Sequence, residues 1–137
     1  MEHPDHDDTK YFPSGEWEGF YLYPHRAEKF RMDCFLTFSD GVVTGGGNDN
    51  VGAFSWRGTY DPVARKCEMI KQYQGAHQVF YFGSADENGI GGTWLISPTW
   101  SAGFQLWPKQ YSQEAYEEET ALESMPMEIE VGAIKLV

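Results

Sequence analysis

The feature that most constrains this chain is a cadence. Between residues 15 and 107, eight short segments of strand chemistry follow one another, each bounded by turn residues. They are Glu16–Tyr23, Phe30–Phe38, Val42–Gly47, Val51–Tyr60, Lys66–Tyr73, His77–Gly83, Gly89–Ile96 and Ser101–Trp107. Parallel neighbours need a dozen or more connecting residues, and the spacing leaves no room for such crossovers, so each segment is expected to pair antiparallel with the next. Ser39-Asp40-Gly41 and Asp86-Glu87-Asn88-Gly89 read as tight hairpins, and Asp61-Pro62 opens a third. The chain is thus expected to be all-β. An open two-sheet sandwich competes with a small eight-stranded antiparallel meander barrel, which is the architecture preferred here.

Period-2 alternation assigns the faces. Met32, Cys34, Leu36 and Phe38 share one side of the second segment; Phe54, Trp56 and Tyr60 share one side of the fourth; Ile90, Trp94 and Ile96 share one side of the seventh with Gly92. Composition supports sheet. Of the 22 aromatic residues, 18 lie between Trp17 and Trp107, and 14 of the 15 glycines lie between Gly15 and Gly103. Aromatic rings favour a pleated, half-buried surface, and glycine marks turns and tight bends.

A short phrase recurs: Gly15-Glu16-Trp17, Gly52-Ala53-Phe54 and Gly92-Thr93-Trp94 each place a glycine two residues before an inward aromatic. Such a glycine lets a strand bend while the ring fills the interior, the device a closing barrel needs. Gly15-Glu16-Trp17 at the head of a short eight-strand meander resembles the start of the calycin barrels, the lipocalin and avidin group. The resemblance implies that Trp17 plugs one barrel end and that the other end admits a small hydrophobic or amphipathic ligand. The polar residues of an avidin-type site do not align here, and the lipocalin disulfide pattern is absent.

The flanks differ from this body. Residues 1–14 are expected to form a disordered acidic tail, residues 15–107 the barrel domain and residues 108–137 a second acidic segment, with a helix over 112–124 and a strand over 127–137. The net charge is −11, most of it on these flanks. It opposes nucleic-acid phosphates and anionic membranes, so neither is an expected partner. No apolar run long enough to span a bilayer occurs and Met1–Lys10 is acidic and polar, which together point to the cytoplasm. Cys34 and Cys67, on the second and fifth segments, are expected to be free, buried thiols.

Among candidate chemical residues Lys71 stands out. It shares a face with Cys67, Met69 and Tyr73, which look core-directed, and a lysine pointing into a barrel is costly unless paired or able to reach an open end. Asp49, Tyr73, Tyr81 and His77 are its candidate neighbours. Trp17, Tyr21, Trp56 and Trp94 look inward-facing, and with Lys71, Tyr73 and Tyr81 they make the expected ligand-lining set.

The remaining motifs carry less. Thr44-Gly45-Gly46-Gly47-Asn48-Asp49-Asn50-Val51 resembles a single turn of a calcium-binding nonapeptide repeat. One copy cannot complete the coordination, so it is read as a glycine-rich hairpin or bulge between the third and fourth strands. His3, Asp5, His6, Asp7 and Asp8 lack a second shell for a metal. No metal, cofactor or catalytic triad is expected. If Lys71 points in, Ile70, Phe80 and Phe82 point out and form an exposed apolar patch, either a homodimer face or the bed on which Met127–Val137 lies.

Three functions follow. The leading one is a non-catalytic protein holding a small apolar or amphipathic ligand in the barrel lumen. The alternatives are an interaction or structural module that uses its outer face, and a lumen enzyme using Lys71 or a tyrosine.

Overall fold

The computed structural model describes residues 10–111 and Glu117. Eight strands follow in order: β1 (Gly15–Tyr21), β2 (Phe30–Ser39), β3 (Val42–Asp49), β4 (Ala53–Asp61), β5 (Lys66–Tyr73), β6 (Gln78–Asp86), β7 (Gly89–Ser97) and β8 (Trp100–Pro108). Each pairs antiparallel with the next, and β8 returns to β1, so the sheet closes into an eight-stranded meander barrel. The closing seam runs from Trp17 opposite Pro108 to Tyr21 opposite Phe104. Closure removes both free edges, which is where the sandwich alternative fails.

The turn chemistry works as the residue types require. Asp40 and Gly41 both take positive φ (52° and 82°) between β2 and β3, the backbone of a two-residue hairpin whose twist matches the strands. Asp61 Oδ1 accepts from the amides of Val63 and Ala64 at 3.0 and 3.1 Å and shapes the β4–β5 turn. Asp86 Oδ1 does the same for the Asn88 amide at 2.8 Å.

The alternating faces hold through most of the sheet. Met32, Cys34, Leu36 and Phe38 are all buried while their β2 neighbours are exposed, and β4 buries Phe54, Trp56 and Tyr60. Ile96 departs from the pattern. It is 42% exposed because β7 reaches the rim there and its register shifts between Leu95 and Ser97.

The glycine run is also not a turn. Gly45, Gly46 and Gly47 lie within β3, paired with Leu36, Phe35 and Cys34 on one side and with Trp56, Ser55 and Phe54 on the other. On the inward parity of β3, Val43 and Asp49 therefore bracket two positions without side chains, where β2 comes so close that a Cβ would stand 1.9 Å from the Phe35 carbonyl oxygen at Gly45 and 2.1 Å from the Asp33 carbonyl oxygen at Gly47. Gly92 serves the same end between β6 and β7, since a Cβ there would stand 2.0 Å from the Phe82 carbonyl oxygen.

The barrel has two unlike poles. The β2–β3, β4–β5 and β6–β7 turns lie at one, and the chain enters β1 and leaves β8 there. Phe12 fills this pole. It is buried, with its ring 5.3 Å from Phe38 and 5.0 Å from Tyr60. The segment that carries it is pinned. Ser14 Oγ accepts from the Phe38 amide at 2.8 Å, and the Trp17 indole donates to the Pro13 carbonyl at 2.9 Å. Residues 12–14 thus pack against the closed end of the barrel, ahead of β1.

Beyond β8, residues 109–111 are helical. The expected helix over 112–124 (Glu117 aside), the strand over 127–137 and the histidine-aspartate cluster of residues 3–8 lie outside the described residues. No helix among the described residues is long and apolar enough to cross a membrane.

Candidate functional site

The inward parity of two strands creates the centre of the site. On β5, Cys67, Met69, Lys71 and Tyr73 all point in; on β3, Asp49 does. Lys71 Nζ donates to Asp49 Oδ2 at 2.6 Å, and both side chains are fully buried. The ammonium has three protons, and further donations to the hydroxyls of Tyr81 (3.1 Å) and Tyr73 (3.3 Å) use the others. The Met32 sulfur lies 3.6 Å away. The rings of Tyr21, Phe54, Trp56, Tyr73 and Tyr81 surround the charge with centroids 4.4–5.6 Å from Nζ, in cation–π range.

Asp49 is held just as firmly. Its Oδ2 also accepts from the Tyr73 hydroxyl at 2.6 Å, while Oδ1 takes the amides of Val51 and Gly52 at 2.8 and 3.3 Å in the β3–β4 connection. Gly52 sits there at φ +149°, a backbone that side-chain-bearing residues rarely adopt. Tyr21 completes the group by donating to Asn50 Oδ1.

Burial sets the protonation tendencies. Desolvation pushes Lys71 below its ordinary lysine range, and the Asp49 carboxylate opposes that shift. Desolvation raises Tyr21, Tyr73 and Tyr81 above the ordinary phenol range, with the Asp49 charge adding to each. All three therefore remain protonated donors at neutral pH. The thiols are inert by the same cause: burial pushes Cys34 up to about 11 and Cys67 up to about 12.

Above this network, at the pole opposite Phe12, lies a cavity of about 40 Å³. Tyr21, Tyr73 and Tyr81 line it from the network side, joined by Tyr23, His77 and Trp94, with Val51, Ile96 and Trp100 around the rim. One water needs roughly 10–15 Å³, and pockets that enclose a drug-sized molecule measure roughly 300–1,000 Å³. The cavity therefore admits a few atoms, and anything larger rests on the rim. That rim is apolar and open, with Val51 48%, Ile96 42% and Trp100 45% exposed.

The expected lining set divides accordingly. Tyr21, Tyr73, Tyr81 and Trp94 border the cavity. Lys71 and Trp56 lie beneath it, without contact to it. Trp56 packs edge-on to Tyr81 at 4.9 Å, and its indole N–H has no hydrogen-bond partner among the described residues. Trp17 belongs to the opposite pole, 5.8 Å from Phe38, where it helps fill the closed end. Of the neighbours expected for Lys71, Asp49, Tyr73 and Tyr81 are in contact, whereas His77 stands at the mouth against the Tyr73 ring at 5.1 Å.

Sequence reasoning missed Tyr23, Val51, Asn50 and Trp100, which all sit in or beside the connections at the open pole. The clustering of apolar residues at strand ends was the available signal. Among the described residues no three histidine, cysteine or acidic side chains gather in a way that could hold a metal ion.

The outer face carries the second feature. Ile70 is the cross-strand partner of Phe80, which in turn faces Leu95. Phe80 and Phe82 are 37% and 44% exposed and border a surface groove of about 380 Å³ with Arg57, Glu68 and Ile70. Comparison of the chain with protein-family models, curated proteins and solved structures finds no significant match.

Proposed function

We propose that the protein is a non-catalytic, calycin-like binding protein that takes the head of a small amphipathic ligand into the open pole of its barrel. The observation that carries this reading is the Lys71–Asp49–tyrosine network lying directly beneath an aromatic-walled cavity. A barrel that needed only stability would fill this volume with apolar side chains, because an interior ion pair is costly to desolvate. Hydroxyl groups presented within an aromatic wall are what ligand pockets use to orient a guest. The ligand enters opposite Trp17, the arrangement the calycin resemblance implies, and it occupies the mouth instead of the whole lumen. Two free, buried cysteines suit a reducing compartment such as the cytoplasm.

Catalysis is the weaker reading. A nucleophilic or basic Lys71 needs a free lone pair, whereas its ammonium donates to Asp49, Tyr73 and Tyr81.

Native mass spectrometry of the full chain, repeated under denaturing conditions, tests the proposal. Extra mass that disappears on denaturation is expected, and Trp100→Ala, a change at an exposed rim residue, should reduce it. A bare monomer from the wild type would sink the reading. The exposed Phe80–Phe82 face supports a second reading, a homodimer that covers Ile70, Phe80 and Phe82. A bare dimer that Phe80→Asp converts to monomer would favour that alternative.

A further inference from the structure

Tyr81 differs from the other two tyrosines of the network in what its hydroxyl proton meets. Tyr73 donates its proton to Asp49 and Tyr21 donates to Asn50. The Tyr81 oxygen accepts from Lys71, but its own proton meets no acceptor among the described residues. The side chain is only 2% exposed, and it borders the cavity. A buried donor left unpaired is unfavourable, and buried hydroxyls ordinarily find a partner. Burial keeps the proton in place by raising the phenol well above its ordinary range. Trp56 also has an unpartnered N–H, yet it does not reach the cavity and cannot serve a guest.

We infer that the open pole reads a neutral carbonyl group, with Tyr81 donating its hydroxyl proton to the carbonyl oxygen while an aromatic body rests on Val51, Ile96 and Trp100. This rests on the ligand-binding reading above and adds the class of ligand.

Charge favours a neutral head. Lys71 and Asp49 cancel, all three ammonium protons are engaged, and an entering carboxylate would be desolvated beside Asp49 with no unpaired cation to meet it. A cationic head finds no free carboxylate oxygen either, because both oxygens of Asp49 already accept. The cavity's size favours a narrow head, since about 40 Å³ admits a carbonyl and its neighbouring atoms but not a whole ring system. The rim supplies the aromatic and aliphatic surface that the rest of the molecule needs.

The test compares two probes of nearly equal shape, acetophenone and ethylbenzene, titrated against the full-length protein and followed by tryptophan fluorescence. Wild type should bind acetophenone at least about tenfold more tightly, the scale of one net hydrogen bond. Tyr81→Phe, checked for cooperative thermal unfolding, should reduce that preference to near unity. Trp100→Ala should weaken both probes alike.

Equal binding of the two probes by wild type, or a preference that survives in Tyr81→Phe, would overturn the role of Tyr81 and leave ligand binding intact. Should Tyr81→Phe fail to fold, the wild-type comparison alone decides. Failure of both probes overturns the carbonyl assignment. If the native mass measurement also shows no retained ligand, the cavity holds water alone and both proposals fall.

Discussion

At the scale of the residue, the Lys71–Asp49 pair has a measurable cost of disruption. Lys71→Met keeps the volume but leaves the Asp49 carboxylate buried without its cation. Breaking one partner of a buried pair costs roughly 3–5 kcal/mol, and urea denaturation should show a loss of that order. Asp49→Asn added to Lys71→Met removes the stranded charge and keeps an oxygen for the Val51 and Gly52 amides, so the double variant should recover part of the loss. A single-variant loss under about 1 kcal/mol would mean that Asp49 relaxes to solvent.

Lys71 was legible in sequence by parity, since it alternates with Met69 and Tyr73. Asp49 was named among its neighbours, but its inward parity needs β3 to run past Gly47 to Asp49, where a hairpin or bulge was expected. Depth along the barrel axis was not legible, because parity tells in from out and nothing more. Trp17 and Tyr21 share a face of β1 yet end at opposite poles, one in the closed end and one over the ammonium.

At the scale of the element, the β-strands follow from their own chemistry, while the N-terminal plug does not. Alternation and turn residues placed all eight strands to within a few residues. The glycine run misled because glycine both breaks strands and lets neighbouring strands approach. Only the pairing of β3 on both sides decides between these roles. Phe12 offered even less, standing as a single aromatic beside Tyr11 in a polar segment with no periodicity to place it.

Its packing against Phe38 and Tyr60 nevertheless makes it part of the core. Phe12→Ala should cost about 3 kcal/mol by opening a cavity at the closed pole, read as a lower denaturant midpoint with an unchanged slope. Because that pole is remote from the mouth, ligand retention in native mass spectra should persist. A loss below about 0.5 kcal/mol would show that the plug contributes little to the folded state.

At the scale of the whole molecule, the buried tyrosines tie stability to alkaline pH. In the folded barrel Tyr21, Tyr73 and Tyr81 hold their protons above the ordinary phenol value of 10.0, whereas the unfolded chain releases them there. The folded state then binds more protons than the unfolded state. Their contribution is complete below that value and is lost as pH rises towards the folded pKa values, at up to about 1.4 kcal/mol per pH unit for each group.

Lys71 acts in the opposite sense between its lowered folded pKa and 10.5, as a single group. Denaturant midpoints should therefore fall steeply once pH exceeds about 10.5, and phenolate absorbance from these three rings should appear only with unfolding. Midpoints flat across that range would show that the tyrosines ionise freely in the native state.

The closing seam between β1 and β8 has one more consequence. Because the chain enters and leaves the barrel at the same pole, with Trp17 opposite Pro108, the gap between first and last strand stands beside the β2–β3, β4–β5 and β6–β7 turns as one more link of the same kind. Topologically the barrel is a ring, and the position of its break is a matter of synthesis order alone. A linker from the end of β8 back to the plug segment, with a new start cut at any of those three turns, would preserve every strand pairing and leave the mouth untouched.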